Sequence, residues 1–186
     1  GNVFDESVTF DYEADYDEVV LFGTKDDEGT LEEWGTQEDD GSITFSADGV
    51  SGAIQGYSDS DGDGSFDVEG VGFDSGTSDI TGIGVKGNDN EEIDKDDNEK
   101  LVIEFDNIMA NAEIGFSSLE TYFNEDDTHN GRVVWKAYKD GELVASGEER
   151  QDDTDDGNAR TVVANIDVSF DSVEFSVDAD DGNPNY

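Results

Sequence analysis

The chain has 186 residues, and its 9 Lys+Arg against 51 Asp+Glu leave a formal net charge of −42. Phosphate recognition is built on Lys and Arg, so nucleic acid and anionic membrane surfaces are excluded as direct partners. Cysteine is absent and His129 is the single histidine, which removes disulfides, thiolate nucleophiles, iron–sulfur clusters and Cys- or His-rich metal sites.

No run of about 18 apolar residues is present, so membrane insertion is not expected, and no basic-then-apolar leader is seen. High net charge with 33% hydrophobic residues lies near the border of disorder. The 11 Phe, 6 Tyr and 2 Trp, however, fall inside alternating runs. Residues 1–186 are therefore read as one folded domain able to bury about 70% of its unfolded surface. Its self-repulsion must be answered by bound divalent cations or by high salt.

Taken in chain order, period-2 patterns recur, and no helical stripe outlasts a turn. Val8, Phe10 and Tyr12 alternate with polar residues, as do Ile43 and Phe45. Phe66 and Val68 share a phase that Val71 and Phe73 do not, which predicts a bulge near Gly70. Leu101, Ile103 and Phe105 form another half-buried strand. Residues 132–139 and 142–147 flank Asp140-Gly141, the composition of a type I′ hairpin turn, and His129 beside Asn130-Gly131 reads as an exposed turn residue. Residues 162–168 and 173–177 read as a final strand pair joined through 169–172. Ten to twelve short strands with Gly/Asp/Asn-rich connections predict an all-β, antiparallel β-sandwich of jelly-roll or Greek-key type with calcium-binding loops.

The acids concentrate between strands, and residues 59–67 carry the spacing D-x-D-x-D-G-x-x-D. Calcium takes six to eight hard oxygens, and alternate residues of a tight loop can all aim inward if a glycine at the sixth position permits the turn. On this template Asp59, Asp61, Asp63 and Asp67 supply carboxylates, Ser65 its carbonyl, Gly64 the turn, and Phe66 an anchor in the core. With 32 Asp and 22 Gly in the chain, the spacing arises by chance about 0.02 times. The twelfth position is Gly70, where a helical calcium loop places a bidentate Glu, so a further ligand has to come from elsewhere, with Asp74 and Glu92 as candidates.

Asn88, Asn90 and Glu92 alternate in a second acidic stretch, and Asp178 and Asp180 lie in a third. Each is a candidate metal site or else a solvated loop that keeps the protein soluble. Trp34, Tyr57 and Tyr122 border acidic loops and are candidates for stacking on a ligand, although aromatics in a sandwich more often fill the core. Paired carboxylates give no discriminating sign of glycosidase chemistry, so no enzymatic activity is expected.

Residues 82–107 (GIGVKGNDNEEIDKDDNEKLVIEFDN), 131–148 (GRVVWKAYKDGELVASGE) and 170–178 (FDSVEFSVD) resemble the calcium-dependent, peptide-binding β-sandwich modules of giant RTX adhesins of marine Gram-negative bacteria. The glycine-rich nonapeptide of RTX tails is absent, and the first 80 residues resemble these modules only in the acidic loop. The resemblance implies type I secretion, an extracellular cell-surface location, a role in biofilm and flanking domains of a longer adhesin chain, while the several acidic loops lead to the expectation of more than one bound Ca²⁺. It leads to the expectation of an adhesion module that binds a peptide C-terminus or a glycan on a host or neighbouring cell through Ca²⁺. The alternatives are a calcium-rigidified extender and a haloadapted acidic surface protein.

Overall fold

The computed structural model describes residues 3–12, 19–22, 35–47, 49–74, 82–86, 93, 98–117, 121–124, 127–150 and 162–179. Among them are fourteen strands and no helix. In chain order these are β1 (Val3–Tyr12), β2 (Val19–Phe22), β3 (Thr36–Gln37), β4 (Ile43–Ala47), β5 (Val50–Ser58), β6 (Asp67–Val68) and β7 (Val71–Asp74), followed by β8 (Gly82–Val85), β9 (Lys100–Ser117), β10 (Thr121–Asn124), β11 (Asp127–Lys139), β12 (Glu142–Arg150), β13 (Val162–Ile166) and β14 (Phe170–Ala179). The all-β, antiparallel class expected from the alternation is what forms.

Twelve strands join in one sheet along the path β10–β11–β14–β9–β5–β4–β3, with β12 on β11, β1 and β13 on β9, β2 on β1 and β6 on β5. The long β9 organises it. Its residues 100–105 lie between β5 and β14, and its residues 109–117 lie between β1 and β13. Between these halves the register slips, since Phe170 pairs with Met109 while Ser172 pairs with Glu104. Such an irregularity bends a strand and re-aims its side chains.

The expected final strand pair does not form. β13 and β14 both pair with β9, on 112–116 and 100–109 respectively, and not with each other. Alternation marks both segments as strands, but it cannot name their partner, and one long strand serves both.

On the inner face Ile43, Ile54, Ile103, Val173 and Ala137 stand in register across five strands, and all are buried. Each fully buried Ile or Val of this row contributes about 1.5–3 kcal/mol. Phe105 meets Phe45 and Phe170 edge to face at 5.9 and 5.8 Å. Met109, Ala112 and Ile114 from the far half of β9 are buried in the same core, as are Val71, Ile83 and Val85 of the β7–β8 ribbon. One core is thereby enclosed between the two halves of the main sheet and the ribbon, which is the sandwich.

The bulge expected near Gly70 is instead a change of sheet. β6 ends at Val68, Gly70 takes φ +84°, and β7 pairs with β8 in the second sheet. The crossing chain presses on β5, where a Cβ at Gly56 would stand 2.0 Å from Gly70 O. The 140–141 turn forms as expected, with Asp140 at φ +52° and Gly141 at φ +78° joining β11 to β12. His129 lies in β11 opposite Tyr122 and not in a turn, because β10 and β11 pair through 121–130.

The outer face of the main sheet is presented by the alternate set of residues. β3 and β4 contribute Thr36, Thr44 and Ser46; β5 contributes Ser51, Ala53, Gln55 and Tyr57; β9 contributes Lys100, Val102, Glu104 and Asp106. β14 adds Ser172, Glu174 and Ser176, β11 adds Arg132, Val134, Lys136 and Tyr138, and β12 adds Ser146 and Glu148. Glu174 receives Lys100 Nζ at 3.0 Å and Lys136 Nζ at 3.5 Å, and Arg132 pairs with Glu148 at 3.1 Å.

Candidate metal centre

β5 and β6 pair as a short hairpin, Tyr57 opposite Val68 and Ser58 opposite Asp67, and residues 59–66 form its tip. Two glycines with positive φ, Gly62 at +68° and Gly64 at +85°, let the chain coil there; Gly64 is the turn residue the spacing requires. Gly62 N donates to Asp59 O at 3.1 Å. The carboxylates then fold back on the loop's own backbone. Asp63 N donates to Asp61 Oδ1 at 3.2 Å, Ser65 N to Asp63 Oδ1 at 2.7 Å, and Gly64 N to both carboxylate oxygens of Asp59 at 3.2 and 3.3 Å.

These bonds gather one carboxylate oxygen each from Asp59, Asp61 and Asp63 within 4.8 Å of one another. Asp59, 8% exposed, forms the floor, while Asp61 and Asp63 face solvent. Three like charges this close repel, and a cation among them removes the repulsion. The triad can hold a metal ion, with hard oxygen donors.

Asn98, at φ +49° just before β9, donates from Nδ2 to Asp59 Oδ2 at 3.3 Å and ties the hairpin tip to the start of the central strand. Spacing gives no hint of this residue, because it lies 39 positions away from Asp59 and outside every alternating acidic run.

Other expected site residues fall differently. Asp67 sits in β6 opposite Ser58, outside the triad, and Ser65 contributes its backbone N–H to Asp63. Phe66 does not anchor the core. Pairing places Val68 opposite the outward Tyr57, and Phe66 shares the phase of Val68, so it emerges on the outer side, 38% exposed, with Lys100 Nζ 4.0 Å from its ring centroid. Lys100 also lies 5.8 Å from the Tyr57 ring. Tyr57 is half-buried, and its hydroxyl is pushed up by burial first and by the nearby charges of Glu104 and Asp40 after it.

Asn88, Asn90, Glu92, Asp180 and Trp34 lie outside the described residues. Asp178 is placed in β14 opposite Arg132, Tyr122 in β10 opposite His129, and Asp74 in β7 opposite Gly82; the side chains of these three also lie outside the described set. Comparison of the chain with known protein families, with curated proteins and with solved structures finds no match.

Proposed function

We propose that this chain is a calcium-dependent adhesion module of a secreted cell-surface protein, binding a peptide C-terminus or a glycan through a loop-held Ca²⁺. The observation that carries the reading is the convergence of Asp59, Asp61 and Asp63 at an exposed hairpin tip, immediately beside an outward Phe66 and a Val68 that is 56% exposed. A chain at −42 repels a carboxylate ligand unless a cation with an open coordination position presents local positive charge. Sugar hydroxyls can use the same position.

Calcium is favoured over softer metals because every donor gathered at the tip is an oxygen, without His or Cys. The test is calorimetric titration of Ca²⁺ into metal-stripped protein, followed by titration of a free-C-terminus peptide and a monosaccharide panel with and without EGTA. Uptake of Ca²⁺ with chelator-sensitive ligand binding supports the reading, and absence of uptake overturns it.

A second reading has its own observation. The Asn98–Asp59 contact links the hairpin tip to β9, so a bound ion would also brace the central strand, as in a calcium-rigidified extender. Ca²⁺ uptake that raises stability without any ligand binding favours this brace.

A further inference from the structure

The outer face of the main sheet differs in charge from the rest of the chain. Among the described side chains, Lys100, Arg132 and Lys136 stand on it against the carboxylates of Glu104, Asp106, Glu148 and Glu174, whereas acids outnumber bases 51 to 9 overall. Near-balance of sign on one broad, solvent-facing sheet sets this face apart from the strongly acidic remainder of the chain.

Within this face, between β3, β4, β5 and β9, lies a cleft of about 630 Å³. Thr36, Thr44, Ser46, Glu104 and Asp106 line it around the small side chain of Ala53. Its size is within the range of small-molecule sites. The cleft exists because Ala53 stands in register between Thr44 and Glu104, both longer, leaving a trough in the row. Its walls are held: Ser51 Oγ donates to Asp106 Oδ2, and Thr44 Oγ1 donates to Glu38 Oε1 at 2.7 Å.

The lining selects a ligand by its hydrogen bonding. Two carboxylates accept only, and the hydroxyls both donate and accept. Among the described residues no cation lines the cleft, so carboxylate, phosphate and sulfate ligands meet no counter-charge from them. An ammonium group donates but cannot accept from the hydroxyls, and it finds equal attraction at acids all over this chain. A chain of neutral hydroxyl groups satisfies both kinds of partner. The geometry points to a neutral oligosaccharide bound in this cleft without metal. The site is separate from the metal loop, since Ala53 lies six residues before Asp59, about 20 Å along an extended strand.

The test titrates glucose-, mannose-, galactose- and N-acetylglucosamine-based tetrasaccharides into the whole chain, in calcium and in EDTA, by calorimetry. At least one is expected to bind equally in both media, to bind at least tenfold more weakly to Ala53→Tyr, and to bind normally to Asp61→Asn. Ala53 points outward from a strand, so the variant should melt as the wild type does; if it does not, Thr44→Val combined with Glu104→Gln takes its place, with the same loss expected. Binding of none of the sugars at millimolar concentration overturns the proposal, as does unchanged affinity in the cleft variants or displacement by tetralysine. Binding that disappears in EDTA moves the ligand to the metal and also overturns it. Conversely, absence of calcium uptake leaves the cleft untouched and removes only the metal reading.

Discussion

The indole of Trp135 covers the backbone of Gly147, its cross-strand partner in β11 and β12: a Cβ on Gly147 would stand 2.5 Å from Trp135 Cζ2 and 2.7 Å from Nε1. An inward position on a strand normally carries a side chain, and here the aromatic ring of the neighbouring strand fills that space. Gly147→Ala is therefore expected to lose about 1–3 kcal/mol, the cost of forcing atoms into a filled core. A fall in the urea midpoint without change of slope measures it; an unchanged midpoint would mean that the ring moves freely aside.

Two residues further along β12, Glu149 is half-buried, and burial raises its carboxyl above the ordinary value while Trp135 opposes the shift. Trp135 Nε1, buried and short of full hydrogen-bond geometry, is the opposing group, and burial outweighs it. A pKa raised in the folded state gives a stabilising contribution that is fully present below the unfolded glutamate value, about 4.3, and is lost as pH rises through the folded value. Glu149→Gln is expected to melt higher than wild type at pH 7 and level with it at pH 4. A variant that melts no higher at pH 7 would contradict the assignment.

How far the sequence reveals this arrangement depends on the range of the interaction. Ile43, Phe45, Leu101, Ile103 and Phe105 are buried on alternate positions, as the period-2 pattern requires, because a strand with one face in the core must alternate. Asp140-Gly141 and the Asp59–Asp63 spacing are equally legible, since both encode geometry within a few residues. Partner choice is not. That β13 and β14 share β9, that Phe66 emerges outward through the register of Val68, and that Asn98 reaches Asp59 all depend on pairings between segments distant in sequence.

At the metal loop, Asp61 and Asp63 are exposed and their carboxylates touch only neighbouring backbone N–H groups, so removing one charge costs the apo fold little. Asp61→Asn or Asp63→Asn should melt no lower than wild type in EDTA, since each also relieves repulsion within the triad. In calcium at about 100 times the dissociation constant, one site adds about 2.7 kcal/mol, and most of that increment should vanish in either variant. Equal losses in both media would show that the carboxylates act structurally and not on an ion.

On the outer face, Glu174 receives Lys100 and Lys136 from β9 and β11, its side chain only 16% exposed. Glu174→Gln leaves two partly covered cations facing each other. The expected loss is about 1–2 kcal/mol, between the limits for exposed and for buried pairs. A double-mutant cycle with Lys136→Met isolates the pair, and a coupling indistinguishable from zero would assign Glu174 to packing alone.

Salt separates general screening from specific binding. With 51 acids against 9 bases, monovalent salt shortens the Debye length to about 8 Å at 0.15 M and weakens self-repulsion over the whole surface, so the melting temperature should climb gradually with KCl. Calcium at matched ionic strength should add a second, saturable rise, because Asp59, Asp61 and Asp63 present a finite site. Asp61→Asn should abolish the saturable component and keep the gradual one. If KCl at equal ionic strength reproduces the entire calcium effect, the triad holds no ion of consequence, and the acidity of the chain answers a saline environment.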